Sequence, residues 1–434
     1  MSFFGKAFAK IGGLGRRLKD LLGGAKAPPQ PSQPQHLQEL TNFGSNPGNT
    51  RMFAYVPRNL ARKPALVVAL HGCAQTAALY DRGSGWSVLA EELGFLVVYP
   101  EQRRANNPQG CFSWFVPGNV ARDQGEALSI RQIVEHAARK FNVDERRVFV
   151  TGLSAGGAMA SAMLATYPDV FSAGAIIAGL PYGCATTVEE AFAAMFGNRR
   201  RSAQPLGDHV RTASQHDGPW PRISIWHGSS DTIVRPVNTE EIVEQWVDVH
   251  GLAAEPTRED VFERAEFVAS HRRRVWEDAD GEPIIEVYNI SGMGHGVPIA
   301  VAPNPESCGA MAPFFIPVGI SSTRRIAQFW GLSKATERKR AAPSAAAASA
   351  RPPLKVAGVP AIASSIAWEG ASAGARARRA RNASAVDPNA VIAAAFEAAG
   401  LPVPRIDEAA ARAGRVEPGP LIAAALKAAG LAHP

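Results

Sequence analysis

Val148-Phe-Val-Thr-Gly-Leu-Ser154-Ala-Gly-Gly-Ala-Met-Ala-Ser-Ala-Met-Leu-Ala-Thr166 runs from a β-branched, aromatic segment through a glycine-flanked serine into a small-residue helix. The core of the stretch, Gly152-Leu-Ser154-Ala-Gly156, is a weak signal as a bare pattern. Glycine is 40 of 434 residues, and about 0.2 such matches are expected by chance in a chain of this length. Its setting makes it informative. A strand, a sharp turn and a helix are what a nucleophile elbow needs, because the turn lifts the serine hydroxyl above the sheet edge. Glycines on both sides let the backbone turn where side chains would clash. The helix start beside the serine offers backbone N–H groups that can stabilise an oxyanion.

A serine hydroxyl is a poor nucleophile until a base takes its proton, and the base needs an orienting group. With an elbow of this kind the chain order is serine, then acid, then histidine. Ile223-Ser-Ile-Trp-His-Gly-Ser-Ser-Asp231 reads as a strand followed by a short loop carrying an acid. Ile284 to Ile290 reads as a strand followed by Ser-Gly-Met-Gly-His295-Gly, a glycine-rich loop that can present an imidazole. Ser154, Asp231 and His295 are therefore the candidate nucleophile, orienting acid and base. The backbone N–H groups of Cys73, in the loop after the strand Ala65–Leu70, and of Ala155 are the candidate oxyanion donors. His71 and His227, each followed by glycine at a strand end, are read as hydrogen-bonded structural histidines.

Outward from this centre, short apolar runs alternate with helical segments, which points to a mostly parallel sheet with helices on both faces. The expected strands are Met52–Val56, Ala65–Leu70, Phe95–Tyr99, Val148–Thr151, Ala173–Ala178, Ile223–Trp226 and Ile284–Ile290. The expected helices are Trp86–Leu93, Gly125–Lys140, Ala155–Thr166, Val188–Phe196, Thr239–His250 and Thr323–Trp330. Asp280–Gly281 reads as a hairpin turn between Arg272–Glu277 and the last strand. The polar, Pro- and Gly-containing stretch Gly197–Pro221 is expected to carry no regular element.

The catalytic body is expected over residues 36–333, flanked by two extensions of different composition. Residues 1–35 hold Phe4, Phe8, Ile11, Leu14, Leu18, Leu21 and Leu22 at helical spacing, with Lys6, Lys10, Arg16, Arg17 and Lys19 between them. That is a basic amphipathic helix, suited equally to an anionic or apolar surface and to docking on its own chain. A Pro/Gln linker closes it, and no secretory signal is visible. Residues 334–434 are rich in Ala, Pro, Arg and Ser and read as largely disordered. Within them Val386–Leu401 returns as Val416–Leu431, two short helices with start and stop signals.

The formal charge of +7 and pI near 9.4 come from these ends, while the body between them is net negative. The Arg376–Arg381 cluster reads as solvated linker charge, so nucleic acid is not an expected partner. No window holds the roughly 18 uninterrupted apolar residues of a membrane span. Cys73, Cys111, Cys184 and Cys308 form no C-x-x-C pair of the kind metal sites use. Buried free thiols and disulfides are both open from spacing alone.

Taken together, His71-Gly-Cys-Ala-Gln75, Val97-Val-Tyr-Pro-Glu-Gln102, Gly110-Cys-Phe-Ser-Trp-Phe115, Gly152-Leu-Ser-Ala-Gly-Gly-Ala-Met159, Ala178-Gly-Leu-Pro-Tyr-Gly183, Trp226-His-Gly and Gly292-Met-Gly-His-Gly296 resemble the poly(3-hydroxybutyrate) depolymerase family of esterases. The resemblance spans roughly Arg51 to Leu332. It implies an α/β-hydrolase fold, no metal, no cofactor, and hydrolysis of esters of hydroxyalkanoate polymers or their oligomers. The same family is similar to feruloyl and acetylxylan esterases, which makes a carbohydrate ester the alternative substrate. A surface-binding protein with a vestigial hydrolase body is the alternative of another class, and the intact serine–acid–histidine order argues against it.

The resemblance further implies that Cys73 pairs with Cys111 and Cys184 with Cys308. Trp114 and Phe115, with Trp86, are candidates to meet a polyester chain, and a role as core or rim aromatics is the competing reading. Family members are commonly exported, which with paired cysteines implies an extracellular setting. The basic N-terminal helix in place of a signal peptide departs from that pattern, as does a tail that resembles no polymer-binding module. Either end is a candidate anchor to a membrane or to a polyester granule.

Overall fold

Each apolar run divides its side chains between two cores, as period-two strands buried on both faces must. Leu66, Val68 and Leu70 enter one cluster, and Val67 and Ala69 the other. Leu96 and Val98 part from Val97 and Tyr99 in the same way. The computed structural model describes residues 37–332, apart from 198, 199, 266, 267, 303 and 305. The amphipathic helix and linker expected over 1–35, and the tail with its repeats at 386–401 and 416–431, lie outside the described residues.

Ten strands form the main sheet: β1 (Gln38–Leu40), β2 (Arg51–Tyr55), β3 (Leu66–Leu70), β4 (Leu96–Glu101), β5 (Val148–Leu153), β6 (Ala173–Ile177), β7 (Arg222–Gly228), β8 (Arg258–Phe262), β9 (His271–Glu277) and β10 (Pro283–Ile290). Their order is β1-β2-β4-β3-β5-β6-β7-β10-β9-β8. Pairing is parallel from β4 through β10 and antiparallel at both margins. A second, two-stranded parallel sheet pairs β11 (Val297–Ile299) with β12 (Phe315–Pro317).

The helices are α1 (Ala77–Ser84), α2 (Trp86–Leu93), α3 (Pro117–Val120), α4 (Gly125–Phe141), α5 (Ala155–Thr166), α6 (Val188–Met195), α7 (Ala203–Ala213), α8 (Val237–His250) and α9 (Ser322–Phe329). Buried residues of α4, α5, α7 and α8 join the first core cluster, and those of α1, α2 and α9 join the second. The sheet is therefore covered on both faces, the arrangement of an α/β-hydrolase. Three helix starts are capped by a hydroxyl. Thr76 accepts from Leu79 N–H at α1, Thr187 from Glu190 N–H at α6, and Ser321 from Arg324 N–H at α9.

Two expectations are corrected. Gly197–Pro221 is not irregular throughout, because α7 lies within it. Its buried stripe is only Leu206, Gly207 and Val210, too sparse to announce a period. What holds it is packing on α8, where Gln245 Nε2 donates to the Leu206 carbonyl at 2.8 Å. Trp86 is not a substrate-facing aromatic. It is 1% exposed, and its ring stacks on Trp330 at 5.5 Å between centroids, which in turn stacks on Phe149 at 4.9 Å.

Candidate active site

Ser154 follows β5 and precedes α5 with φ 57° and ψ −118°, a region that side chains rarely occupy and that costs of order 1–3 kcal/mol. The surroundings hold it there. Ser154 N–H donates to the Ile177 carbonyl at 2.9 Å, and the Ser154 carbonyl accepts from Ala158 N–H at 2.8 Å. A Cβ on Gly152 would overlap the carbonyl oxygen of Gly156, and one on Gly156 would overlap those of Leu70 and His71. Both glycines are required by close approach of backbone. Ser154 is half-buried, and its Oγ has no hydrogen-bond partner among the described residues. Serine–base hydrogen bonds are often long until substrate is bound.

Asp231 leaves the end of β7, two strands from β5, and His295 leaves the end of β10, the next neighbour of β7. Their loops are tied together by backbone: Ser229 N–H donates to the Ile290 carbonyl and Ser230 N–H to the Met293 carbonyl, each at 2.9 Å. His295 Nδ1 lies 2.7 Å from Asp231 Oδ2. A carboxylate can only accept, so Nδ1 carries the proton and Nε2 keeps a lone pair. Asp231 Oδ1 accepts from the N–H groups of Ile233 and Val234, both at 2.9 Å. Burial alone would raise the Asp231 pKa, but hydrogen bonding from His227 and His295 outweighs it and holds the carboxyl well below the usual range. Phe314 places its ring edge-on to His295, 6.0 Å between centroids.

The loop after β3 is braced from four sides. Cys73 and Cys111 form a disulfide with Cα atoms 4.3 Å apart. Ala74 N–H donates to the Gln109 carbonyl at 2.8 Å. Gln75 Oε1 accepts from Gly72 N–H at 2.9 Å, while its Nε2 reaches the Pro313 carbonyl at 3.3 Å. His71, 1% exposed, bonds the Gly72 carbonyl through Nδ1 and accepts Gln102 N–H at Nε2. Burial lowers its pKa to about 4. Amid this bracing the Cys73 N–H makes no hydrogen bond to any described residue. The Ala155 N–H is at the first position of α5, among those a helix leaves without internal partners.

The other expected cysteine pair does not form. Cys184 and Cys308 are both buried and free. Cys184 packs with Ala158, Leu180 and Val234, whereas Cys308 Sγ lies against Ser321 Oγ and the Ser84 carbonyl. The two thiols sit in unlike surroundings, and burial pushes the pKa of each upward. Trp114 and Phe115 meet edge to face at 5.3 Å and pack, half-buried, on the cluster holding Ala158 and Val234. Those two residues follow Ser154 and Asp231 by four and three positions in the chain.

Sequence reasoning missed Glu126, a buried carboxylate on α4. Its Oε1 accepts from Gln102 Nε2 at 2.7 Å and its Oε2 from Ser113 N–H at 2.9 Å. It thereby links the brace on His71 to the start of the Trp114 segment, and burial raises its pKa. Nothing in the helix pattern marks it, since acidic residues are ordinary in a first turn. His227 is buried and hydrogen-bonded to backbone, as the sequence leads one to expect, with Nε2 2.8 Å from the Val234 carbonyl, and the same nitrogen lies 3.2 Å from Asp231 Oδ2. Among the described residues no group of three His, Cys, Asp or Glu gathers as a cation site, and no helix is long and apolar enough to cross a membrane.

A family model described as esterase PHB depolymerase matches residues 52–267. The poly(3-hydroxyalkanoate) depolymerase C of Paucimonas lemoignei is 45% identical over 297 residues, covering 68% of this chain and 70% of the relative. The acetylxylan esterase of Coprinopsis cinerea is 36% identical, covering 63% of this chain and 73% of the relative. Among solved structures, an acetyl xylan esterase from Aspergillus awamori superposes with a TM-score of 0.58 at 27% identity, covering 68% of this chain and 99% of that one.

Proposed function

Because the chain belongs to the esterase PHB depolymerase family, we propose that this carboxylic ester hydrolase cleaves poly(3-hydroxybutyrate) or its short oligomers through an acyl-enzyme. Ser154 Oγ attacks the ester carbonyl carbon as His295 Nε2 takes its proton. The N–H groups of Cys73 and Ala155 stabilise the oxyanion. Collapse of the tetrahedral intermediate breaks the bond to the alcohol oxygen, which receives the proton from His295. Water, deprotonated by the same nitrogen, then releases the acid and restores Ser154. Asp231 keeps the proton on Nδ1 and stabilises the imidazolium as it forms.

The observation that carries the reading is the 2.7 Å contact of His295 Nδ1 with a carboxylate that accepts from several donors, on strand ends of the same sheet whose β5 leads into a backbone-strained serine. Trp114 and Phe115 are the proposed apolar contact for the polyester. A carbohydrate ester is the second reading, favoured by the similarity to acetylxylan esterases. Residues 36–333 are the proposed catalytic unit. The basic extensions, read from sequence alone, are proposed as anchors to a granule or membrane surface.

Clearing of an amorphous poly(3-hydroxybutyrate) suspension tests the function, with Ser154→Ala as the blank. Wild type is expected to clear it, and Ser154→Ala to lose on the order of 10⁴- to 10⁶-fold in kcat. A Ser154→Ala enzyme of near-normal rate would overturn the mechanism. Hydrolysis of a nitrophenyl ester and of acetylated xylan, without clearing, would transfer the function to the second reading.

A further inference from the structure

His227 stands one residue from the end of β7, between β6 and β10, and is fully buried. Central parallel strands normally fill such positions with aliphatic side chains, as Ile223 and Ile225 do on the same strand. An imidazole there loses its water and must recover hydrogen bonds from the protein. It recovers them on one side only. Nε2 lies 2.8 Å from the Val234 carbonyl, which can only accept, so Nε2 carries the proton. The other nitrogen, Nδ1, is buried with no partner among the described residues. Leaving such an atom unpaired costs about 1–3 kcal/mol, so stability by itself gives no reason for a histidine at this place.

The same Nε2 lies 3.2 Å from Asp231 Oδ2, the oxygen that takes the His295 proton at 2.7 Å. Oδ1 is already occupied by two N–H groups. Rotation of the carboxylate about its Cβ–Cγ bond would break contacts on both oxygens at once. From this we infer that His227 is a positioning residue, which fixes Asp231 Oδ2 through its Nε2–H edge so that His295 is presented in one orientation and one tautomer. The inference rests on the acid–base roles proposed above. His227 touches no substrate; it acts through Asp231. As His295 gains its proton, Asp231 has to stay ionised in a site of low dielectric, and the Nε2–H edge standing 3.2 Å from Oδ2, shared with the Val234 carbonyl, favours that state without reorganising.

The test is a double-mutant cycle read with a short nitrophenyl ester. His227→Leu is expected to lower kcat by about 10- to 100-fold, the worth of one hydrogen bond to a charged group, with KM within about threefold. His227→Gln keeps an N–H donor near the Nε2 position and is expected to restore most of the rate. In an Asp231→Asn background, His227→Leu is expected to cost less than about twofold, since the carboxylate it positions is gone. A merely structural role would cost the same in both backgrounds, and that result overturns the inference. So does a His227→Leu enzyme with wild-type kcat. If the leucine variant fails to fold, His227→Phe, which preserves ring volume, is read in its place. Loss of rate in Ser154→Ala and Asp231→Asn but not in His227→Leu would remove this inference alone. Retained rate in all of them would remove the acid–base reading itself.

Discussion

His71 and His227 are the same device in sequence, a histidine followed by glycine where a central strand ends, yet they serve opposite sides of the candidate site. His71 uses both ring nitrogens on backbone: Nδ1 on the Gly72 carbonyl and Nε2 on Gln102 N–H. It staples the loop that carries Cys73. His227 uses one nitrogen, on the Val234 carbonyl and beside a carboxylate, and leaves the other without a partner among the described residues. A fully satisfied buried imidazole behaves as a structural part. One that leaves an atom unsatisfied in order to reach a neighbouring ionised group is placed for that group. The serine side is held by backbone and a disulfide, and the acid side by side chains on one carboxylate.

The contrast can be broken or sharpened by measurement. The largest effect is expected on the acid side. Asp231→Asn should lower kcat on the order of 10⁴-fold by allowing the wrong tautomer of His295, with a melting temperature close to wild type. A loss below tenfold would mean that the base is oriented by something else.

Next comes the disulfide on the serine side. It closes a span of 38 residues, for which chain entropy gives about 3–4 kcal/mol of stability. The Cys73→Ser/Cys111→Ser enzyme should show that loss in denaturant unfolding, with a smaller effect on kcat than Asp231→Asn. Unchanged stability would show that Gln75, Ala74 and His71 hold the loop unaided.

The smallest effect is a pH dependence carried by His71. His71 titrates near 4 in the folded chain and about 6.5 in an unfolded one. Between those values the unfolded state binds the extra proton, so this contribution is present above about pH 6.5 and lost as pH falls toward 4. His71→Gln should therefore flatten the stability–pH slope in that window by up to about 1.4 kcal/mol per pH unit. An unchanged slope would mean that His71 is charged in the folded protein.

Much of the architecture was legible because each central strand repeats its pattern locally. Val148–Leu153 and Leu66–Leu70 are short apolar runs whose burial on both faces follows from composition. Helix α5 begins and ends where its small residues do. The margins were harder. β1 is three residues long, and β8 is mostly exposed, with burial at neither face to leave a signature. Helix α7 presents two aliphatic side chains and depends on α8 for its place. At the site, the chain order of Ser154, Asp231 and His295 could be read, while Glu126 and the reach of His227 could not. Their function depends on what stands across from them.

The sequence by itself determined the strand–serine–helix turn, the strand ends on which the acid and base candidates lie, and the two-sided burial of the sheet. These follow from local rules: glycine where backbone passes close, alternation where both faces are buried, residues of one type at one spacing. Only the tertiary structure decided that Cys73 meets Cys111 while Cys184 and Cys308 stay apart, and that Trp86 stacks in the core. It alone brought His227 and His295 to one oxygen of Asp231, the second of them across 64 residues of chain. Pairing between distant residues is set by how the layers pack around the sheet, and no periodicity along the chain encodes that distance.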